Sequence, residues 1–308
     1  MSKLYDLIVI GSGPAGLAAA IYGVRAKLDL LVIEKEMMSG GQIINTYEVD
    51  NYPGLPGING FDLAVKFRGH AEKLGAEFTE DKVKDLIPEE NGNKKVICEK
   101  ETYETKTVII ASGAHHSLLN VQGEKELSGK GVSYCATCDG AFYKKKVTAV
   151  VGGGDVALED AIFLSRLSAK VYIIHRRNEF RGAKILQEAL LGTANIEPVY
   201  DSIVEKINGT DKVDSVTVRN VRTEEKKEIP ADGVFVAVGI VPDSDAFSCV
   251  KRDEKGYVIA GEDCRTNIPG IFAAGDVRTK QLRQIITAAS DGANAVTSAE
   301  KYLAERKN

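Results

Sequence analysis

Residues 6–16 read DLIVIGSGPAG, and this stretch decides the fold expected for the chain. Residues 7–10 are all apolar, as is usual for a parallel strand that is buried on both faces. Gly11, Gly13 and Gly16 follow the spacing G-x-G-x-x-G, and an amphipathic helical pattern comes after them. Such glycines permit a tight turn and let backbone N–H groups approach a pyrophosphate at the positive end of a helix. The stretch therefore predicts a dinucleotide-binding turn between a strand and a helix.

The same pattern occurs a second time further along the chain. Residues 147–157 read VTAVVGGGDVA, and a shift of 141 positions places Gly11 over Gly152 without a gap. Ala157 takes the third glycine position in this copy, which the pattern allows. Two glycine turns that merely connect strands are the alternative, but two copies in register, each between a strand and a helix, favour binding sites. The predicted fold class is therefore α/β, with two Rossmann-like dinucleotide-binding domains.

The residue at the end of the second strand of each copy distinguishes the two ligands. In the first copy it is Glu34, whose carboxylate accepts hydrogen bonds from ribose hydroxyls and repels a 2′-phosphate. In the second copy it is His175, which is followed by Arg176, Arg177 and Arg181. Guanidinium groups grip a phosphate in bidentate fashion, although a solvated basic turn is the alternative interpretation. We therefore predict FAD at the first turn and NADPH at the second.

A third segment, residues 266–276, reads TNIPGIFAAGD and lies far downstream. Its pattern is that of a turn and a short strand ending at Asp276, where α/β proteins bind ligands. Asp276 could accept a hydrogen bond from a ribityl hydroxyl of FAD, and an aspartate that caps the next helix is the alternative. If both ends of the chain contact FAD, the FAD domain is discontinuous and the NADPH domain is inserted within it.

The domain boundaries are expected where apolar strands end in glycine or proline. Two such hinges lie near residues 112–115 and 239–243. We predict an FAD-binding domain formed by residues 1–113 and 245–308, and an NADPH-binding domain formed by residues 114–244. The second domain also contains the pair of cysteines that carries the predicted chemistry.

Cys135 and Cys138 are the two of the five cysteines that lie close together in sequence. In a reducing compartment, such a pair is more often catalytic or metal-binding than structural. A structural zinc site usually needs a second pair at similar spacing, whereas His115 and His116 are adjacent. At a helix N-terminus, N–H groups would stabilise a thiolate, and Asp139 could donate a proton to it. The pair is therefore predicted to be a redox-active dithiol.

The overall composition narrows the class of protein. The chain has 308 residues, of which 44% are hydrophobic and 27% charged, with a formal net charge of −4. This acidic balance favours neither nucleic acid nor membrane binding. No apolar run approaches the roughly 20 residues of a membrane span, and no signal peptide pattern is present, so we expect a cytoplasmic protein.

Taken together, these motifs resemble the low-molecular-weight, bacterial-type thioredoxin reductases, and the resemblance covers essentially the whole chain. Its most specific marker is CATCDG at residues 135–140, just before the second glycine turn. The resemblance implies a homodimer with tightly bound FAD, in which NADPH reduces the flavin and the dithiol reduces thioredoxin. In that family the NADPH domain rotates, and the two predicted hinges are consistent with such a movement.

The resemblance also implies individual roles. Cys138 would lie next to the flavin, Cys135 would attack the partner disulfide, and Asp139 would be the acid. The residues predicted to bind FAD are Gly11, Ser12, Gly13, Pro14, Ala15, Gly16, Glu34, Gly41, Gln42, Asn51, Asp276, Arg283 and Gln284. Those predicted to bind NADPH are Gly152, Gly153, Gly154, Asp155, His175, Arg176, Arg177 and Arg181.

Two residues depart from the family pattern, and other functions stay open. Asp155 places a carboxylate beside the expected pyrophosphate, and Gly182 stands where the family often has alanine. The alternatives are a ferredoxin-fed flavin reductase, a dithiol oxidase that uses O₂, and a redox sensor without turnover. The basic block at residues 175–181 disfavours a ferredoxin-fed enzyme, and the intact dithiol with Asp139 disfavours a sensor.

Overall fold

A computed structural model describes residues 3–46, 49 and 51–306 of the chain. In chain order the strands are β1 (Leu4–Ile10), β2 (Leu30–Glu34), β3 (Glu77–Glu80), β4 (Val83–Pro88), β5 (Lys94–Cys98), β6 (Thr102–Ile110), β7 (Ala114–His116), β8 (Val132–Ser133), β9 (Val147–Gly152), β10 (Lys170–Ile174), β11 (Ile196–Val199), β12 (Ser202–Gly209), β13 (Val213–Asn220), β14 (Lys226–Pro230), β15 (Gly233–Ala237), β16 (Ile240–Pro242) and β17 (Ile271–Ala273). The α-helices are α1 (Pro14–Arg25), α2 (Gly60–Lys73), α3 (Ala136–Asp139), α4 (Asp155–Ser165), α5 (Lys184–Leu191) and α6 (Ile285–Glu305). Short 3₁₀ helices cover Gly41–Asn45, Gly140–Tyr143 and Gly275–Val277.

The chain divides into two compact units. The first unit consists of Met1–His115 and Val241–Asn308, and the second of His116–Ile240. The domain boundaries predicted from sequence, 113/114 and 244/245, lie two and four residues away from these crossovers. The difference has a simple cause, because the crossover segments β7 and β16 pair with each other in a two-stranded sheet. The crossovers therefore fall within a hydrogen-bonded ladder, and Pro242 is the last residue of one of its strands.

The sheet of the first unit is built around β1 and β6, which pair in parallel with Leu7 opposite Thr107. β1 also pairs in parallel with β2, and β2 with β3. β6 is shared, because its first half pairs antiparallel with β5 and its second half pairs parallel with β17. Leu7 and Val9 pack in one core cluster and Ile8 and Ile10 in another. The apolar run at residues 7–10 is therefore buried on both faces, as a central parallel strand requires.

The second unit repeats this construction. Its main sheet has the order β11-β10-β9-β15-β8, and every adjacent pair in it is parallel. Val150 of β9 packs in the same cluster as Leu158 of α4, while Ala149 and Val151 pack in the cluster on the opposite face. A separate antiparallel sheet, β12-β13-β14, follows within the unit.

Each unit therefore places a glycine turn at the carboxyl end of a central strand. The first turn joins β1 to α1, and the second joins β9 to α4. This is the edge at which parallel α/β sheets bind their ligands. None of the helices in the described part of the chain is both long enough and apolar enough to cross a membrane.

Candidate functional site

The predicted redox centre lies in the second unit. Cys135 and Cys138 form a disulfide, with their Cα atoms 5.3 Å apart. Cys135 is the N-cap residue of the one-turn helix α3, and its carbonyl accepts a hydrogen bond from Asp139 N at 3.1 Å. Both cysteines are half-buried. The pairing that the sequence predicts is therefore formed, at the start of a helical turn.

Asp139 ends the same turn, and its environment suits a proton donor. Its Oδ2 accepts a hydrogen bond from Ser133 Oγ at 2.6 Å, whereas its Oδ1 is buried without a partner. Burial raises the pKa of Asp139, and the hydrogen bond from Ser133 partly opposes that rise. A carboxyl with a raised pKa holds its proton closer to neutral pH than an exposed aspartate does.

The first glycine turn has the geometry of a nucleotide cradle. A Cβ at Gly11, where φ is +103°, would collide with the Ala111 carbonyl, and a Cβ at Gly16 would collide with the Gly11 carbonyl. At Gly13 the nearest atom to such a Cβ is the Gly40 oxygen at 3.9 Å, so this glycine leaves open space. Gly13 is also the N-cap of α1 and provides no side-chain cap, so the first N–H groups of the helix stay available.

Glu34 and the loop at residues 40–42 close around this turn. Glu34 Oε2 accepts hydrogen bonds from Ser12 N at 2.7 Å and from Ser12 Oγ at 2.6 Å. Gly40 N donates to the Ser12 carbonyl at 2.8 Å, and a Cβ at Gly41 would lie 3.5 Å from Gly13 Cα. Gln42 Nε2 donates to the Ala114 carbonyl. Glu34 therefore holds the turn in addition to the ribose-binding role predicted for it.

Asp276 lies in the 3₁₀ turn Gly275–Val277 and does not cap α6, whose N-cap is Gln284. Its Oδ1 is buried and has no partner. Burial raises its pKa, against the positive charges of Lys280 and Arg283. Arg283 lies 4.0 Å above the Tyr257 ring, and its Nε donates to the Asp276 carbonyl at 3.4 Å. An unpaired, buried carboxylate oxygen just after the carboxyl end of β17 fits a ligand hydroxyl.

Two further predicted residues meet at the start of α6. Asn51 Nδ2 donates to Gln284 Oε1 at 2.9 Å, although the two residues are distant in sequence. Gln284 also forms a reciprocal capping box with Thr287. Pro14 and Ala15 are the first residues of α1, so the structure places all thirteen predicted FAD-binding residues in the first unit.

A buried charged cluster supports the Gly275–Val277 turn, and no sequence motif pointed to it. Asp291 Oδ2 accepts hydrogen bonds from Gly275 N at 2.9 Å, Arg278 Nε at 2.8 Å and Lys280 Nζ at 2.9 Å. Asp291 Oδ1 accepts from Arg278 Nη2 at 2.6 Å. Burial alone would raise the pKa of Asp291, but the hydrogen bonds from Arg278 and Lys280 lower it below its usual value. The carboxylate therefore ties two cations and one backbone amide together.

Replacing Asp291 by Asn is expected to lower the free energy of unfolding by about 3–5 kcal/mol, because two buried cations lose their counter-charge. Urea unfolding of the holoprotein measures this. Asp245→Asn is the matched control, because the Asp245 side chain is fully exposed and its contact with Arg252 is long, at 3.8 Å. The control is expected to change stability by less than about 0.5 kcal/mol. Equal losses in the two variants would contradict the role assigned to Asp291.

The second glycine turn matches the first in its contacts. A Cβ at Gly152 would collide with the Ala237 carbonyl, as one at Gly11 would with Ala111. Among described residues, no atom lies within 4 Å of a Cβ built on Gly154, and Gly154 is the uncapped N-cap of α4. The equivalence predicted from the shift of 141 positions therefore extends to the close packing of each turn on its neighbouring strand.

His175 packs its ring against Gly153 of this turn. It is 4% exposed, and a Cβ at Gly153 would overlap its ring. Burial, followed by the positive charge of Arg181, lowers the pKa of His175, so the ring is neutral at pH 7. Its Nε2 is buried without a partner. The role of His175 in binding NADPH stays a prediction, and its contacts indicate that it acts through Gly153.

The three arginines of the basic block are exposed. Arg176, Arg177 and Arg181 form no ion pair with any residue in the described ranges. Arg181 N donates to the Gly153 carbonyl at 2.7 Å, which brings this part of the block to the glycine turn. Guanidinium groups without a protein counter-ion are available to an anionic ligand.

The two residues that depart from the family pattern are explained by packing. Asp155 Oδ1 accepts a hydrogen bond from Ala183 N at 2.7 Å, so its charge is used to hold the loop that follows Arg181. A Cβ at Gly182 would overlap the Leu158 side chain and lie 3.1 Å from Asp155 Oδ1. A larger residue at 182 would therefore have to displace the end of the Leu158 side chain.

Comparison with known proteins agrees with this geometry. The family model described as pyridine nucleotide-disulphide oxidoreductase matches residues 5–292. Thioredoxin reductase of Listeria innocua is 47% identical over 307 residues, which cover 99% of this chain and 96% of that protein. Thioredoxin reductase of Bacillus subtilis is 43% identical over 305 residues, covering 98% and 96%. The solved thioredoxin reductase of Streptococcus pyogenes superposes with a TM-score of 0.94 at 42% identity, covering 99% of this chain and 100% of that one.

These matches extend over nearly the full length of the chain. The relatives share with it the two-domain Rossmann fold of flavin-dependent disulfide oxidoreductases. The chain therefore belongs to the pyridine nucleotide-disulphide oxidoreductase family and, within it, to the bacterial-type thioredoxin reductases.

Proposed function

We propose that this protein is an NADPH-dependent thioredoxin-disulfide reductase that binds FAD in its first unit and reduces thioredoxin through Cys135 and Cys138. The observation that carries the proposal is the Cys135–Cys138 disulfide beside the buried carboxyl of Asp139. Membership of the thioredoxin reductase family supports the choice of thioredoxin as the partner.

The residues of the first unit fit FAD. Gly13 and the uncapped start of α1 would receive the pyrophosphate, since both space and free N–H groups are present there. Glu34 would accept a hydrogen bond from a ribose hydroxyl in addition to the two that it accepts from Ser12. Asp276 Oδ1, which is buried and unpaired, would accept from the ribityl chain. Bound there, FAD supplies the two-electron chemistry that connects a nicotinamide to a disulfide.

The second unit fits NADPH. The open face of Gly154 and the N-terminus of α4 would receive its pyrophosphate. Arg176, Arg177 and Arg181, which lack ion-pair partners among the described residues, would bind its 2′-phosphate. Without a 2′-phosphate these three charges have no ligand, so the site is expected to prefer NADPH over NADH.

The exchange with thioredoxin is assigned to the two cysteines. The Cys135 thiolate attacks the disulfide of the partner, forming a mixed disulfide and releasing one partner thiolate. The Cys138 thiolate then attacks Cys135 Sγ, restores the Cys135–Cys138 bond and releases the second partner thiolate. Two electrons and two protons pass from the dithiol to the partner. Asp139, which ends the same helical turn, would hold and return one of the protons.

An anaerobic spectral titration tests the proposal. NADPH is expected to bleach the flavin much faster than NADH does, and oxidised thioredoxin is expected to restore the flavin spectrum. No bleaching by either nucleotide would favour a ferredoxin-fed reductase. Bleaching without reoxidation by thioredoxin would favour a sensor. In a separate aerobic assay, rapid NADPH-dependent O₂ consumption without thioredoxin would favour a dithiol oxidase.

We also propose that the protein acts as a homodimer in the cytoplasm, as its family resemblance implies. Light scattering during size-exclusion chromatography would give the mass of the assembly, for which twice the 33.2 kDa of the chain is expected.

A further inference from the structure

We propose that Ser133 is a positioning residue that holds Asp139 through Oδ2 and so directs the proton of the acid to Oδ1. The proposal rests on the proposed function, because Asp139 is the proton donor of the dithiol in that function. It adds a residue that no motif in the sequence marks, at the end of β8 and 5% exposed.

Three contacts of the Ser133 hydroxyl carry the assignment. Its oxygen accepts a hydrogen bond from Cys135 N at 3.1 Å. Its single hydrogen has two acceptors within reach, Asp139 Oδ2 at 2.6 Å and the Cys135 carbonyl at 3.3 Å. The shorter contact, to a carboxylate, is the stronger one. Ser133 therefore donates to Asp139 and connects it to the backbone of the first cysteine.

The two oxygens of Asp139 are consequently unequal. Oδ2 is occupied as an acceptor, whereas Oδ1 is buried and unpaired. A negative charge on Oδ1 would have no hydrogen bond to stabilise it in a buried position. Protonation at Oδ1 removes that charge and leaves the Ser133 hydrogen bond intact, so Oδ1 is the proton-bearing oxygen.

The titratable groups around Asp139 can be distinguished from it. The Tyr143 phenol, in the 3₁₀ helix that follows, has its pKa raised to about 12 by burial and by the charges of Asp139 and Asp232. It is therefore neutral throughout the range in which an aspartate titrates. The neighbouring helix α4 presents the apolar side chains of Phe163 and Leu164 to this turn at Gly140. The same helix carries Asp160, whose pKa is raised to about 7 by burial and by the charge of Glu159. Asp160 is unchanged in every variant of the test, so the Asp139→Asn profile separates its titration from that of Asp139. Within the described residues, Asp139 forms no ion pair with a cation.

Asp139 donates this proton when the enzyme disulfide is reduced. When the Cys135–Cys138 bond accepts the two electrons supplied by NADPH, the S–S bond breaks and two thiolates form. One thiolate takes the proton from Asp139 Oδ1, and the resulting carboxylate regains a proton from water. Ser133 stays hydrogen-bonded to Oδ2 in both protonation states, so it keeps the acid oriented through the cycle.

Infrared spectroscopy of the oxidised protein tests the assignment directly. The carboxyl C=O band of Asp139 is isolated by subtracting the spectrum of Asp139→Asn at each pH. If the proton is on Oδ1, the C=O oxygen is Oδ2, which accepts from Ser133 and lowers the stretching frequency. The band is therefore expected to move to higher wavenumber in Ser133→Ala and to return in Ser133→Thr, which keeps the hydroxyl.

The pH profile of thioredoxin reduction is the second readout. Activity that needs protonated Asp139 is present below its pKa and is lost as pH rises through it. Removing the Ser133 donor destabilises the carboxylate of Asp139. In Ser133→Ala the loss of activity is therefore expected at a pH about one unit higher than in the wild type. Ser133→Thr is expected to restore the wild-type profile. In Asp139→Asn, the fall of activity that is due to titration of Asp139 is expected to be absent.

Two results would overturn the proposal. One is a wild-type Asp139 band already at the frequency of a carbonyl without a hydrogen bond, a result that needs no substitution at Ser133. The other is a pH profile that stays in place or moves downward in Ser133→Ala when its thermal melting matches that of the wild type. Failure of the wild-type protein to reduce thioredoxin would contradict the proposed function instead, and the infrared band would still decide the role of Ser133.

Discussion

Replacing Cys138 by Ser is expected to abolish thioredoxin reduction, lowering kcat by at least about 10³-fold, while NADPH still bleaches the flavin. Cys135 remains able to attack a partner disulfide in this variant. The second thiolate, however, is missing, so the mixed disulfide is not resolved by closure of the Cys135–Cys138 bond. The protein should therefore accumulate as a covalent complex with thioredoxin. Turnover assays and mass spectrometry of the non-reduced complex measure both effects.

Cys249→Ser is the matched control for this experiment. Cys249 is a half-buried free thiol of the first unit, and the dithiol lies in the second. Its replacement is expected to leave turnover unchanged and to trap no partner. Thioredoxin turnover by Cys138→Ser at the wild-type rate would show that electrons leave the protein by another route.

Replacing Arg176, Arg177 and Arg181 together by Ala is expected to raise KM for NADPH by about 10²-fold or more and to leave KM for NADH unchanged. A hydrogen bond to a charged group contributes about 1.5–3 kcal/mol, and exposure to solvent reduces that figure for each arginine. Three guanidiniums without ion pairs among the described residues provide the whole positive charge of the block, because burial keeps His175 neutral. Steady-state kinetics with both nucleotides would measure the change in preference.

Arg222→Ala provides the control for charge alone. Arg222 is an exposed arginine of the same unit, and it already has an ion-pair partner in Asp201 at 3.1 Å. Its removal is expected to affect neither nucleotide. Binding of 2′,5′-ADP, which carries the 2′-phosphate without the nicotinamide, adds a readout independent of turnover. Equal loss of NADH and NADPH affinity in the triple variant would contradict the assignment to the 2′-phosphate.

The features that local sequence predicted are those in which neighbouring residues determine the geometry. Gly11 and Gly152 each follow an apolar strand, and each packs against a carbonyl of the adjacent strand where no Cβ fits. Such a turn is dictated by backbone sterics, so it is readable from spacing alone. The same holds for Cys135 and Cys138, whose separation in sequence lets them close a disulfide within one helical turn.

The buried contacts that support these motifs were not readable in this way. Asp291 reaches Gly275 and Arg278 only because α6 packs beside the turn that contains them. No fixed spacing relates a helix interior to such a turn, so an isolated aspartate in α6 carries no signal of its own. The partnership of Ser133 with Asp139 likewise depends on where β8 ends relative to α3.

By itself the sequence determined the class of fold, the two glycine turns and the cysteine pair, because each depends on residues within one strand, turn and helix. The tertiary structure alone decided how those motifs are supported. It buries His175 against Gly153, packs Gly182 against Leu158, and leaves one buried oxygen of Asp139 without a partner. These properties depend on which side chains meet across distant segments, and packing in three dimensions sets that.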